Sequence, residues 1–237
     1  MRASEKIWDD KMKQLSERAI REVYRYLGYQ KEKHQLTPDM EQLIDDGIQE
    51  VLDKADPRVV LSDALPLEHN EQGFGIGRLT LSGSDIREHL KNCQQIVLMG
   101  ATLGTAVDQL IRRTEILDMA KAVILDAAAN VVIEEVCEKA EETLRQQMSQ
   151  DRKYTTIRYS PGYGDLPIET QNEILRMLDA PRKIGLSVTP THIMTPRKSI
   201  TSIMGIADIP VQGKKAGCGH CVLRGTCIYR KRGTVCD

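Results

Sequence analysis

Apolar residues recur at helical spacing from the start of the chain. Ile7, Met12, Leu15, Ala19, Ile20, Val23, Tyr24 and Leu27 predict a helix over residues 4–28, closed by Gly28 at a helix-ending position. Thr37 as N-cap, Pro38 at the first helical position and Met40, Leu43, Ile44, Ile48, Val51 and Leu52 predict a second helix that stops before Pro57. The period then changes. Residues 58–68 are rich in Val and Leu, residues 77–81 alternate apolar with polar, and residues 94–99 form a third apolar run, so all three predict strands. A helix to about Arg113 follows Gly100 and Gly104, and the longest helical pattern runs from Asp118 to about Met148. Its first half is rich in Ala and Val on most faces, and its second half, EKAEETLRQQ, is charged, so this helix is expected to begin buried and end in solvent. A short helix over residues 168–178 and a strand region over residues 187–206 complete an α+β pattern without internal repeats.

Composition narrows the function classes. The 33 Lys plus Arg nearly balance 34 Asp plus Glu, for a formal charge of -1, which gives no global bias toward a polyanion or an anionic membrane surface. No apolar stretch approaches the roughly 18 residues that a membrane helix needs. The opening MRASEKIWDDKMKQ has no apolar core that could act as a secretory signal, so the chain is expected in the cytoplasm, where thiols stay reduced. With one Trp, one Phe and seven Tyr, the core has to be built from Leu, Ile, Val, Ala and Met.

The one compositional boundary falls near Pro210 and predicts a main domain over residues 1–210 with a tail over residues 211–237. The tail loses hydrophobic periodicity and holds Cys218, Cys221, Cys227 and Cys236 among Gly and basic residues. A CxxC pair followed by further cysteines is a metal signal, because two thiolates one turn apart chelate the same ion or cluster. Four thiolates suit either zinc or an iron–sulfur cluster, and His220 is an alternative to Cys236 as fourth ligand. Arg224, Arg230, Lys231 and Arg232 also allow a zinc ribbon that binds nucleic acid, although the overall charge disfavours it; the same cations could offset thiolate charge or dock an acidic protein.

A second constellation is Arg158-Tyr-Ser-Pro-Gly-Tyr-Gly164, in which Pro161, Gly162 and Gly164 force a tight loop after a predicted strand at residues 154–157. Arg158 suits a carboxylate, and Tyr163 with accessible backbone N–H groups suits a flat base; the same residues also suit a plain surface turn whose Arg forms a salt bridge. Gly73-Phe-Gly-Ile-Gly77 lacks dinucleotide-loop spacing and predicts a hairpin loop, while residues 99–104 lack the Lys-Ser/Thr of a P-loop and suggest close strand-to-helix packing. Cys93 and Cys137 are expected to be buried apolar residues, and His34, His69, His89 and His192 share no ligand spacing.

The run from Arg158 to Ile206, RYSPGYGDLPIETQNEILRMLDAPRKIGLSVTPTHIMTPRKSITSIMGI, resembles the S-adenosylmethionine-binding segment of the activation domain of cobalamin-dependent methionine synthase. The preceding DAAANVVIEEVCEKAEE is similar to the family helix that contributes an acidic residue, which falls at Glu134, although a solvated surface carboxylate is equally compatible with that position. The resemblance covers roughly residues 90 to 207, and the helices before it, with YRYLGY, look like those of stand-alone versions of the domain. It implies helices on a mainly antiparallel sheet and a methyltransferase component that reactivates methionine synthase by reductive methylation of cob(II)alamin. In that scheme Arg158 binds the methionine carboxylate, Tyr163 and the backbone of Pro161 and Gly162 line the nucleoside and sulfonium region, and Glu134 meets an amino group or hydroxyl. The implied cofactors are S-adenosylmethionine and partner-borne cobalamin, and the implied electron donor is a flavodoxin or ferredoxin. A reactivator of another corrinoid methyltransferase, and a non-catalytic S-adenosylmethionine- or nucleic-acid-binding module with a zinc tail, are the alternatives.

Overall fold

The computed structural model describes residues 14–29, 36–70, 73–77, 79–211, 213 and 225–227. Helix α1 (Glu17–Tyr26) begins where the Ser16 side chain accepts from Ala19 N, and α2 (Pro38–Lys54) where Thr37 accepts from Met40 N. The second cap is the one the sequence predicts; residues 4–13 of the first predicted helix lie outside the described residues.

The chain continues through β1 (Arg58–Leu61), β2 (Leu65–Pro66), β3 (Glu68–Asn70), β4 (Gly73–Ile76), β5 (Leu79–Leu81) and α3 (Ser84–Leu90). Then come β6 (Gln95–Thr102), α4 (Thr105–Leu117), α5 (Met119–Gln150), β7 (Tyr154–Thr155), α6 (Thr170–Leu178), α7 (Ala180–Ile184), β8 (Ser187–Val188), β9 (Met194–Thr195) and β10 (Ser199–Ala207). The α+β expectation holds. Several features differ from the sequence pattern: α3 and α7 are helices that the pattern does not predict, the strand expected over residues 58–68 is broken into β1 and β2, and Gly73-Phe-Gly-Ile is not a hairpin loop but β4, the middle strand of the sheet β3-β4-β5. Phe74 and Ile76 bury their side chains there, which the flanking glycines conceal in the sequence.

The main sheet has the order β1-β6-β10-β7, with β2 also on β6. Bonds from Asp56 N to Leu103 O and Ser62 N to Leu98 O run β1 antiparallel to β6, and bonds from Leu103 N to Lys198 O and Gln94 N to Ile206 O do the same for β6 and β10. At the break between β1 and β2, the Ser62 hydroxyl replaces a backbone carbonyl by accepting from Leu98 N at 2.9 Å.

Two compact units organise these elements. The first comprises the described residues within Met1–Leu61, Gly100–Glu142 and Leu175–Ile200. Its centre is the first part of α5, where Leu125, Ala128, Ala129 and Val132 are buried; the opening turn departs from the prediction, since Met119 and Val123 are exposed. Gly47 of α2 approaches α5 so closely that a β-carbon there would lie 2.6 Å from Ile124 Cγ2, and Lys121 Nζ meets Glu50 Oε1 at 2.9 Å across the same pair of helices. Gly100 does pack β6 closely against helices, as expected: its missing β-carbon would stand 3.3 Å from Leu178 and 3.7 Å from Ile184.

The second unit comprises the described residues within Ser62–Met99, Thr143–Ile174 and Thr201–Asp237. Here α3 buries Ile86, His89 and Leu90, and β10 buries residues 201–207. Gly205 of β10 faces Cys93, whose burial pushes the thiol up to about 11, so this cysteine is an apolar packing group. A β-carbon at Gly205 would lie 2.3 Å from Cys93 Sγ and 2.8 Å from Leu90 Cδ2. Gly205→Ala is therefore expected to destabilise the chain by about 1–3 kcal/mol, the usual cost of overpacking, and Cys93→Ala in the same chain should recover part of that loss. Urea denaturation of the two single variants and the double variant measures both effects.

Candidate functional site

The segment from Arg158 to Leu166 hangs from β10. Tyr159 forms an antiparallel bridge with Ile203, its N donating to Ile203 O at 2.9 Å and its O accepting from Ile203 N at 2.8 Å. Arg158 at the head of the loop is half-buried, Pro161 is buried, and Tyr163 is 55% exposed. Gly162 and Gly164 adopt φ of 88° and 53°, the left-handed region that Gly enters without steric cost. At Gly164 space matters as well, because a β-carbon there would stand 2.6 Å from the Tyr159 hydroxyl oxygen.

The loop is closed by its own backbone. Gly162 N donates to Leu166 O at 2.9 Å, Tyr163 N to Ser160 O at 3.1 Å, and Leu166 N to Tyr163 O at 3.0 Å. The expectation that the loop's backbone N–H groups are accessible is thus corrected for Gly162 and Tyr163, whose donors are bonded within the loop. What the loop presents outward is the Tyr163 ring, flanked by the exposed Gly162 and Gly164.

Beneath Tyr163 lies a run of rings. His89 and Tyr159 have centroids 4.9 Å apart, Tyr159 and Tyr163 meet edge to face at 6.3 Å, and the Tyr159 hydroxyl donates to Tyr163 O at 3.2 Å. His89 is buried with its Nε2 3.1 Å from Ile157 O. Asp165 reaches α3, accepting from Ser84 N at 2.6 Å, Ser84 Oγ at 2.8 Å and Asp85 N at 3.0 Å. Partial burial pushes the Asp165 carboxyl up, but those hydrogen bonds outweigh it and hold the group below the usual carboxylate range. None of Asp165, Tyr159 and His89 stands out in the sequence. The available signal is Gly83, an N-cap with no side-chain acceptor, which leaves the first-turn donors of α3 to be satisfied from elsewhere.

Glu134 belongs to the first unit, on α5, where it lines a groove of about 240 Å³ with Tyr26, Asn130, Arg197 and Lys198. Lys198 Nζ is committed within that unit, 2.7 Å from both Asp126 Oδ1 and Asn130 Oδ1. Arg197 is fixed through its backbone, N donating to Asp108 Oδ2 at 2.7 Å, and its side chain is exposed. Neither cation was singled out in the sequence. The structure thus brings Arg158, Pro161, Gly162 and Tyr163 together on one loop of the second unit and sets Glu134 in a polar groove of the first.

Of the tail cysteines, Cys218, Cys221 and Cys236, with His220, lie outside the described residues, and Cys227 is half-buried. Among the described residues no cluster of His, Cys, Asp or Glu is arranged to hold a metal ion, and no helix is long and apolar enough to cross a membrane.

Burial first, and then the carboxylates of Asp85 and Asp165, push the Tyr159 phenol up to about 12. A raised folded-state value favours the neutral form, so this contribution to stability is complete below the ordinary tyrosine value of about 10 and is lost as pH rises toward 12. Burial raises Tyr24 as well, so spectrophotometric titration should show ionisation continuing after the exposed tyrosines, and the latest part of it should be lost in Tyr159→Phe.

Comparison with known proteins gives this geometry a context. Residues 101–208 match the family described as the vitamin B12 dependent methionine synthase activation domain. No curated protein matches the chain. Among solved structures, the crystal structure of the MetH reactivation domain bound to AdoHcy matches with a TM-score of 0.55 and 16% identity, covering 91% of this chain and 83% of that chain. At that identity the likeness is one of fold, shared over the helices and the antiparallel sheet. The resemblance read from residues 90 to 207 therefore holds: over residues 101–208 the chain is similar to the activation domain of vitamin B12-dependent methionine synthase.

Proposed function

We propose that the chain reactivates a cobalamin-dependent methionine synthase, with S-adenosylmethionine as methyl donor. The observation that carries this function is the Arg158–Tyr163 loop: a half-buried arginine, an exposed ring and a left-handed glycine, followed by a second at Gly164, anchored to a strand inside the segment that matches the activation-domain family. The fold relative holds S-adenosylhomocysteine, which is what remains of the donor once its methyl group has left. In the proposed reaction one electron from a separate protein reduces cob(II)alamin on the partner to cob(I)alamin. The cobalt then attacks the sulfonium methyl carbon, the Co–C bond forms as the C–S bond breaks, and the electron pair of that bond stays on sulfur. The products are methylcobalamin and S-adenosylhomocysteine.

The protein supplies orientation, and no general base is needed. Arg158 takes the methionine carboxylate as a charge-assisted pair. Tyr163 and the backbone faces of Pro161 and Gly162 lie along the nucleoside and the sulfonium. We further propose that residues 211–237 form a separate tail in which Cys218, Cys221, Cys227 and Cys236 hold an iron–sulfur cluster or zinc. A cluster would suit electron delivery, with a flavodoxin or ferredoxin as donor, whereas zinc would only stabilise the tail.

The test is reactivation of a methionine synthase held as cob(II)alamin, with S-adenosylmethionine and a one-electron reductant. Methylcobalamin and S-adenosylhomocysteine should appear together in equal amounts, and only when this chain is added; no change in the cobalamin spectrum rejects the function. Arg158→Ala should weaken S-adenosylmethionine binding by more than about tenfold, equivalent to a charge-assisted bond of about 1.5–3 kcal/mol. Unchanged affinity by calorimetry takes Arg158 out of the site. Iron, sulfide and zinc analysis after anaerobic purification distinguishes the two tail metals.

A further inference from the structure

Helix α3 starts without a side-chain cap of its own. Its N-cap is Gly83, at φ 133°, and the first-turn donors Ser84 N and Asp85 N are satisfied by the Asp165 carboxylate, from 81 and 80 positions further along the chain. The Ser84 hydroxyl adds a third bond. Helix first turns favour such an acceptor, and a negative charge there is also favoured by the helix dipole.

The two backbones are shaped for this contact. A β-carbon on Gly83 would lie 2.5 Å from Asp165 Oδ1, and one on Gly164 would lie 2.1 Å from Asp85 Oδ2. Each carboxylate therefore sits against a glycine of the opposite segment. Asp165 is exposed, so apolar burial does not explain its placement; the three hydrogen bonds do. On its other side the loop is joined to the sheet by Tyr159, whose hydroxyl also holds the Tyr163 carbonyl. Tyr163 lies between these two supports, two residues before Asp165.

We propose that Asp165 is a positioning residue for the ligand loop: by capping α3 across the fold it holds the loop closed and keeps Tyr163 against Tyr159, so that the ring is ordered before ligand arrives. This rests on the assignment of the loop to S-adenosylmethionine, but the ordering itself is independent of any ligand. Asp165 touches no reacting atom in this role. Its effect on binding is transmitted through loop order, because a loop ordered in advance loses less freedom on binding.

Three variants of the full chain test it: Asp165→Ala, Asp165→Asn and Ser84→Ala. Amide hydrogen exchange followed by mass spectrometry should show peptides spanning residues 158–166 exchanging at least about tenfold faster in Asp165→Ala, with α5 and β10 peptides unchanged. Affinity for S-adenosylmethionine by calorimetry should fall about 5- to 30-fold, and Asp165→Asn, which keeps one acceptor oxygen, should recover part of both effects. Ser84→Ala should give a smaller change in the same direction, and it decides the matter should Asp165→Ala fail to fold. Exchange that rises uniformly through α5 and β10 overturns the proposal in favour of general destabilisation, and faster loop exchange with unchanged affinity overturns it as well. If the wild-type chain binds no S-adenosylmethionine, the proposed function falls, and the exchange data alone decide whether Asp165 orders the loop.

Discussion

The hydrogen-bonding edge of β10 is the constraint on which the candidate loop depends. Within the second unit that strand bonds Gln94 through Ile206 O, Thr156 through Gly205 O, and Tyr159 through both polar groups of Ile203. Thr156 strengthens the junction by accepting from Gly205 N at 2.8 Å with its hydroxyl. A residue with a side chain at position 205 would collide with Cys93 and Leu90, so the strand can come this close only because glycine stands there. Position of the strand fixes Tyr159, Tyr159 fixes the carbonyl of Tyr163, and the loop that carries Arg158 inherits its geometry from backbone pairing more than from its own sequence.

Much of the fold was legible because its signals are local. Thr37 and Pro38 announce α2, the Ala- and Val-rich run announces α5, and the apolar run at residues 94–99 marks β6, although the strand extends to Thr102 through glycine and small residues. What escaped prediction depends on partners far along the chain. Helix α3 has seven residues, too few to show a period, and its cap comes from Asp165. Helix α7 has five, set between Asp179 and Gly185, both in the left-handed region. Strand β4 is hidden because glycines at positions 73 and 75 read as turn residues, whereas pairing of Gly73 with β3, and of Gly75 with both β3 and β5, makes them strand positions.

The candidate site divides in the same way. Gly162 and Gly164 were legible as turn formers, and they take the positive φ values that role requires. That the loop uses the N–H groups of Gly162, Tyr163 and Leu166 on its own carbonyls could not be read from spacing, since it depends on which carbonyls the turn brings within reach. Glu134 was placed by family register alone; the chemistry of its surroundings comes from the segment near Lys198, whose ammonium is held by Asp126 and Asn130. Arg197, on the same wall, shows why residue type without position says little: it is one of 33 cations, and only the fold sets it beside a groove.

The two carboxylates near Tyr159 also act on any charge brought to the loop. Asp85 and Asp165 raise the cost of placing another negative charge at the phenol, so their own contribution to the local potential is negative. Such a potential attracts a cation and is indifferent to a neutral molecule of the same shape. A sulfonium donor enters with one positive charge and leaves, after giving up its methyl group, as an uncharged thioether. In the reactivation proposed above, a contribution of this sign would favour the sulfonium donor over its thioether product.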